Sequence, residues 1–384
     1  MQAVILAAGE GKRVRPLTRN RPKAMIPVAN RPIIEYVIDA LVKNGIRDII
    51  VVVGYRKEQV TRHLNQLSVP VRVVVQAKQL GTAHALRTAE PFIKEDFLLL
   101  PGDNYIDAQS IARVMAVRNG MLVREHPSPS NFGVVLLKGE YVTGILEKPA
   151  HAPSFMVSTG IFSLTKDFFA FTRENDITDA VSSMLAAGGK IHAVTADDWQ
   201  DAIYPWDLLI MNSRLLKNLS PAREGEASRQ TLISGPVRIG KGTTIGANTV
   251  IKGPVIIGND CEIGPNCCIM PDTSIGSRAV IEPFSYIRNS LIMDDVAIGS
   301  HSRVVDAVIG ERCRLADHTS TASAEGLLEI EGTVINPSFG AILGDQVECK
   351  AFTVFRHCIA GNNVRIRAIH RSLSQILPDD AVVI

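Results

Sequence analysis

The sequence predicts a two-part protein, an α/β domain with a mostly parallel sheet followed by a parallel β-helix. Two observations carry this. Up to about residue 216, strand-length apolar runs alternate with helical stretches, and from Ile239 onward isoleucine recurs at every sixth residue. Strand–helix alternation with near-continuous apolar strands marks a parallel sheet covered on both faces. A period of six fits neither an amphipathic helix nor one long strand. It suits a coil of hexapeptides with the branched side chain pointing inward.

In chain order, VILAA, DIIVVVG, VRVVVQ and DFLLLPGDN read as strands, each ended by Gly, Pro or polar residues. Between them PIIEYVIDALVKNG has helical apolar spacing and stops at Gly45, a C-cap. KEQVTRHLNQL and GTAHALRTAEPF read as helices too. A sheet of this kind binds ligands beyond the carboxyl ends of its strands. DLLIMNSRLLKNL reads as a helix that closes the first domain, with Asp207 as its N-cap. The polar, small-residue stretch KNLSPAREGEASRQTLISGP then reads as a linker. The expected boundaries are a first domain at 1–220, a linker at 221–236, a β-helix at 237–366 and a tail at 367–384.

The repeat itself runs through Ile239, Ile245, Ile251, Ile257, Ile263, Ile269, Ile275, Ile281 and Ile287. Glycine follows directly at 240, 246, 258, 264 and 276. The rhythm slips near Ile292, resumes through Ile298 and Val304, and slips again before Ile309, which predicts turns of irregular length. After a degenerate stretch, FGAILGDQVECKAFTVF resembles the pattern resuming.

Composition bounds the function. The chain has 384 residues, 46% hydrophobic and 21% charged, with a formal net charge of +2. These are globular values with room for a sizeable core, and no global field favours nucleic acid or an anionic membrane. No apolar run reaches the ~18 residues that span a bilayer. MQAVILAAGEG has no cationic n-region and reads as a buried strand rather than a secretory signal. A soluble, cytoplasmic protein is expected. The six cysteines, at 261, 267, 268, 313, 349 and 358, form no CxxC pair and have no histidine at zinc-like spacing. They read as free thiols packed as small apolar groups.

The chemistry concentrates after the first strand. In LAAGEGKRVRPLT, Gly9 and Gly11 allow close backbone approach, and Lys12, Arg13 and Arg15 bring charge. A glycine-rich turn after a buried strand can cradle an anion on its N–H groups. Neither the GxxxxGK[ST] spacing nor GxGxxG is present. Downstream, prolines at 22, 27 and 32 hold Lys23 in an extended segment, as a phosphate clamp or as a solvated charge. Asp103 in PGDN is a ligand or a turn residue. Asp201 in WQDAIYPWDLL is a ligand or a solvated loop acid.

LAAGEGKRVRPLT followed by PKAMIPVANRP resembles the sugar nucleotidyltransferase family. The likeness continues in order through QLGTAHA, PGDN, FGVV, LEKP, STGIF and WQDAIYPWDLL. With the hexapeptide domain attached, the chain is similar to bifunctional N-acetylglucosamine-1-phosphate uridylyltransferases and to glucose-1-phosphate thymidylyltransferases. The resemblance implies a Rossmann-like nucleotidyltransferase domain, then a left-handed parallel β-helix. Its partners would be an NTP and a sugar 1-phosphate, its cofactor Mg²⁺, its state a homo-oligomer, a trimer through the β-helix or a multiple of one. In such a reaction two polyanions must meet, so cations must screen them and stabilise the transition state.

By the same resemblance Arg13 holds the NTP phosphates and Lys23 the sugar phosphate, and Asp103 and Asp201 hold the metal. Leu6, Ala7, Ala8, Gly9, Gln76, Gly81, Thr82 and Gly102 hold the nucleotide. Gly133, Glu147, Lys148, Ser158 and Thr159 hold the sugar, although Glu147 could instead pair with Lys148 in solvent. The uridylyltransferase form has asparagine where Ser158 stands, and serine lacks an amide donor for an N-acetyl group. His84 reads as a helix residue rather than a catalyst.

For the β-helix two readings stand. As an acetyltransferase it would use His301 near the family's histidine position. No tyrosine follows three residues on, ADHTSTASAEG replaces the family's GAGT-then-Asn segment, and Ser338 stands where a lysine is expected. As an assembly or stability device it would need a cap or a partner for its exposed end. The second reading is favoured. A non-catalytic scaffold homologue is the remaining alternative for the whole chain.

Overall fold

The structure, a computed structural model, describes residues 1–367, 372–373 and 376–384. It divides into two compact units: residues 1–10, 21–25 and 32–201 form the first, and 11–20, 26–31 and 202–384 the second.

Among the described residues, the first unit is built on a nine-stranded sheet. Its strands are β1 (Gln2–Ala7), β2 (Ile49–Val53), β3 (Val71–Val75), β4 (Phe97–Pro101), β5 (Gly120–Glu125), β6 (Gly133–Lys138), β7 (Tyr141–Glu147), β8 (Met156–Leu164) and β9 (His192–Thr195). Their spatial order is β3-β2-β1-β4-β8-β5-β9-β7-β6. The expectation of a mostly parallel sheet holds, with two reversed strands, β8 and β7. β3, β2, β1 and β4 are mutually parallel, and β9 is parallel to β5. β8 then runs antiparallel to both β4 and β5, and β7 is antiparallel to β9 and β6. β7 is reversed because a short turn joins it to β6, and hairpins make antiparallel pairs whereas helical crossovers make parallel ones.

The helices of this unit are α1 (Ile33–Lys43), α2 (Lys57–Leu64), α3 (Thr82–Ala89), α4 (Ala108–Met115) and α5 (Ile177–Ala186). α1 ends as expected, with Gly45 in the left-handed region at φ 78. β2 is buried at every position, and Phe97, Leu99 and Phe168 are among the side chains that fill the core beside it.

The second unit is a stack of short parallel strands. Ile239 pairs with Ile257 and Ile257 with Ile275, and Ile245, Ile263 and Ile281 align in the same way, a step of 18 residues or three hexapeptides. All nine repeat isoleucines are buried. The slips are one-residue deletions: Ile275 pairs with Ile292, Ile281 with Ile298 and Ile292 with Ile309, each a step of 17. The degenerate stretch is an excursion from one coil, in which 324–325 pairs with 338–339 and 328–330 with 333–335, both antiparallel. The coil resumes beyond it, with Ile309 against Leu343. Corners carry left-handed residues, among them Asn248, Asp260, Asn266 and Asp272. Asn and Asp tolerate that conformation best after glycine.

Three expectations about the boundary are corrected. Residues 221–236 are no linker: 222–223, 226–227 and 232–234 pair in parallel with 238–239, 244–245 and 250–252 as the first coil. Small and polar residues sit there because an end coil has only one neighbour to pack on. The expected tail holds Val382–Val383 paired with Arg365–Ile366, so it continues the stack; residues 368–371 and 374–375 lie outside the described ones. The helix α6 (Asp207–Leu216) groups with the second unit rather than closing the first. Its Asn212 is fully buried, accepting from the Ser274 hydroxyl at 2.8 Å and donating to the Asp272 carbonyl at 3.0 Å. Nor does Asp207 cap forward into its helix. Its carboxylate accepts from the backbone N–H groups of Ile203 and Tyr204, at 2.9 and 2.8 Å, and fixes the preceding turn.

All six cysteines are free, five of them buried and Cys268 half-buried. Among the described residues no helix is long and apolar enough to cross a membrane.

Candidate active site

A cavity of about 590 Å³ opens in the first unit beyond the carboxyl ends of the parallel strands. The segment after β1 supplies Ala8 and Gly9, that after β3 supplies Gln76, and that after β4 supplies Asp103. Of the residues expected to hold nucleotide or sugar, Leu6, Ala8, Gly9, Gln76, Gly81, Thr82, Gly133, Glu147, Lys148 and Ser158 line it. Added to Gly9, a Cβ would meet nothing within 4 Å, so the protein leaves open space at this point.

Lys23 is the electrostatic centre. Its ammonium lies 2.5 Å from Asp201 Oδ1 and 3.1 Å from Asp103 Oδ2. The lysine side chain is 8% exposed, while Asp103 and Asp201 are 38% and 23% exposed. Burial by itself would lower the lysine's pKa; the two carboxylates outweigh it and hold the ammonium well above its ordinary value. The acids are brought together by a two-stranded antiparallel ribbon of 104–106 and 199–201, in which Asp201 faces Asn104. That ribbon is anchored at α4, whose N-cap Asp107 accepts from the Ser110 and Asp198 N–H groups at 2.9 and 3.0 Å. Lys23 and Asp103 therefore stand on one side of the molecule, the arrangement required of a phosphate-handling site.

Other expected residues fall elsewhere. Thr159 is corrected: its hydroxyl donates to the Leu122 carbonyl at 2.9 Å, within the sheet, and it does not line the cavity. The neighbouring Gly160 does, at φ 76 and with a Cβ position 2.8 Å from the Pro101 ring. Gly102 and Ala7 pack together and do not line the cavity; a Cβ on Gly102 would lie 3.0 Å from that of Ala7. Arg13 sits half-buried in the turn Lys12–Val14 that follows Gly11, at φ 75, in the segment grouped with the second unit. Glu147 and Lys148 form the anticipated ion pair, at 2.7 Å, while both also line the cavity. His301 lies on the β-helix surface in a column of rings, stacked between Phe284 and His318 at 4.9 and 5.1 Å.

Sequence reasoning missed Gln79, Asp176 and Thr178, which also line the cavity. Asp176 is the N-cap residue of α5 and makes no side-chain cap bond to that helix. Its carboxylate instead accepts from the N–H and hydroxyl of Thr82, at 3.3 and 3.4 Å. Outside that lining, His126 packs against Phe132 and Trp199. Burial holds its imidazole below the usual range, against raising effects from the Ser128 hydrogen bond and Asp201.

An α/β sheet with a cavity at its strand ends, and a buried ammonium joined to two carboxylates of which Asp103 lines that cavity, is an arrangement suited to phosphorylated ligands. The chain matches the nucleotidyl transferase family over residues 2–217, and it belongs to that family. The second unit matches the GMPPB C-terminal domain over 251–375 and a hexapeptide repeat of succinyl-transferase over 236–253. The chain is 38% identical to the bifunctional protein GlmU of Methanococcus maripaludis strain C7, over 91% of this chain and 88% of that one. It is 36% identical to UTP–glucose-1-phosphate uridylyltransferase AglF of Haloferax volcanii, over 58% of this chain and all (100%) of the relative. Among solved structures, a UDP-glucose pyrophosphorylase from Acinetobacter baumanii superposes with a TM-score of 0.51 at 25% identity, over 56% of this chain and 94% of that one.

Proposed function

We propose that this chain joins a pyrimidine nucleoside triphosphate, UTP or dTTP, to a hexose or N-acetylhexosamine 1-phosphate and releases pyrophosphate. The observation that carries the reading is the Lys23–Asp103–Asp201 cluster, whose Asp103 lines a cavity that Gln76 and Glu147 line as well. A phosphate oxygen of the sugar 1-phosphate attacks the α-phosphorus; a P–O bond forms, and the bond to pyrophosphate breaks with its electrons on the leaving group. The nucleophile is already an anion, so no general base is required. Lys23 offsets the repulsion between the two phosphates, and Arg13 would carry charge of the same sign to the triphosphate. Asp103 and Asp201 fit Mg²⁺: both carboxylates reach one cationic centre, the ammonium, within 3.1 Å, and magnesium takes one or two carboxylates plus phosphate and water. When bound there the ion supplies charge neutralisation for the transferring phosphoryl group. Glu147 can accept two sugar hydroxyls, and the shorter Ser158 favours a plain hexose over its N-acetylated form.

The test is a matrix of UTP, dTTP, CTP and GTP against several sugar 1-phosphates with Mg²⁺, read as pyrophosphate release. Silence across the matrix overturns the proposal. For the β-helix we propose a left-handed coil and assembly into a homo-oligomer, measurable by light scattering. Six free cysteines suit a reducing compartment and support a cytoplasmic setting. Acetyl transfer is the second reading. It is supported by the relatives named bifunctional and by a groove of about 920 Å³ on the second unit that includes Arg314, Lys350, Arg365 and Arg367. Thiol release from acetyl-CoA with glucosamine 1-phosphate tests it.

A further inference from the structure

The amide of Gln76 is held in one orientation by its neighbours. Gln76 follows β3, is 3% exposed and lines the cavity. Its Nε2 lies 3.1 Å from the carbonyl oxygen of Gly81 and 2.8 Å from Nδ1 of His84. A carbonyl oxygen can only accept, so the group facing Gly81 has to be the NH₂ rather than the amide oxygen. The second amide hydrogen then points at His84 Nδ1, which must be bare, and the ring carries its proton on Nε2. Gln76 Oε1 is left without a protein partner among the described residues.

Both acceptors ride on one rigid turn. Gly81 adopts φ 134, where a Cβ would sit 2.4 Å from the Asn175 carbonyl. That same carbonyl accepts from the N–H groups of Ala83 and His84, at 2.7 and 3.2 Å. The start of α3 is thus pinned against 175–176, and the Gly81 carbonyl and the His84 ring keep fixed positions relative to Gln76.

We infer that His84 is a positioning residue for base selection: with the Gly81 carbonyl it takes both amide hydrogens of Gln76 and leaves Oε1 to accept a ring N–H from the nucleobase. The inference rests on the reading of this cavity as the nucleotide site. Uracil and thymine present such an N–H, whereas cytosine presents a bare ring nitrogen whose lone pair would face Oε1. The pair therefore favours imide bases over cytosine, without His84 touching the base.

Two measurements test this in the full-length protein. In ¹⁵N-histidine NMR, with His84 assigned by its loss in H84L, the resting ring should carry its proton on Nε2 and none on Nδ1; the opposite tautomer overturns the inference. In kinetics with glucose 1-phosphate, H84L should lower the UTP-to-CTP ratio of kcat/KM about fivefold, the worth of one neutral hydrogen bond. H84N, which keeps an acceptor oxygen near the Nδ1 position, should restore most of that ratio. An H84L enzyme that still turns over with an unchanged ratio refutes the role of His84. A wild-type protein inactive with every nucleotide refutes the nucleotide-site reading instead. Should H84L fail to fold, the wild-type tautomer decides, with His84 assigned by its loss in H84N.

Discussion

Replacing Asp201 by Asn removes one of the two carboxylates that hold the Lys23 ammonium. Breaking a buried ion pair from one side costs about 3–5 kcal/mol when the remaining charge is left uncompensated. Here Asp103 stays 3.1 Å away, and the Asp201 side chain is 23% exposed, so water screens part of the interaction. A loss of about 1–3 kcal/mol in unfolding free energy follows. The lysine's folded-state pKa lies above its unfolded value of about 10.4. Its contribution is therefore whole below that value and is lost only as pH rises through the folded pKa. Urea titrations at pH 6 and pH 9 should accordingly show the same deficit. Catalysis should suffer more, because the variant also lacks a carboxylate for the metal; kcat should fall by roughly 100-fold or more at saturating Mg²⁺. Combining D201N with Lys23→Met separates the two effects. If lysine and acid interact as their 2.5 Å separation implies, the stability losses will be non-additive by at least about 1 kcal/mol. Strict additivity, or a D201N enzyme with wild-type kcat, would refute the argument.

Other outcomes follow from the same geometry. Gly9→Ala meets nothing within 4 Å, so stability should stay within about 0.5 kcal/mol, while KM for the triphosphate rises because the methyl group enters the cavity. Ile263→Ala empties a position 3% exposed in the β-helix core and should cost about 2–5 kcal/mol of stability in that unit, seen by calorimetry. Burial pushes the thiol of Cys313 far up, and Cys268 is the half-buried one. A thiol reagent should label Cys268 first, with Cys313 reacting only on unfolding.

The strong periodic elements were legible in the chain. Nine isoleucines at intervals of six describe coils because identical side chains must stack above one another to close a core, and the slips were readable as turns of irregular length, which the structure shows to be one residue short. α1, α2 and α3 were readable from apolar spacing and punctuation. The reversal of β7 and β8 was not, because strand direction depends on which segments pair and not on their composition. α6 misled for a related reason: its pattern announces a helix, but only the burial of Asn212 against Asp272 and Ser274 says which core it joins. The first coil looked like a linker because a terminal repeat buries one face instead of two.

At the site, local sequence identified residues whose chemistry is visible in their own neighbourhood: the glycine turn after β1, Lys23 between prolines, Asp103 in PGDN. It could not state that Lys23 lies between Asp103 and Asp201. That depends on an antiparallel register between segments about a hundred residues apart. Nor could it distinguish Thr159, turned into the sheet, from Gly160 beside it, or assign His84 a neighbour. Periodicity and turn chemistry are short-range and are written into consecutive residues. Ion pairs, amide orientation and strand register arise only when distant segments are packed together, and there the tertiary structure decided.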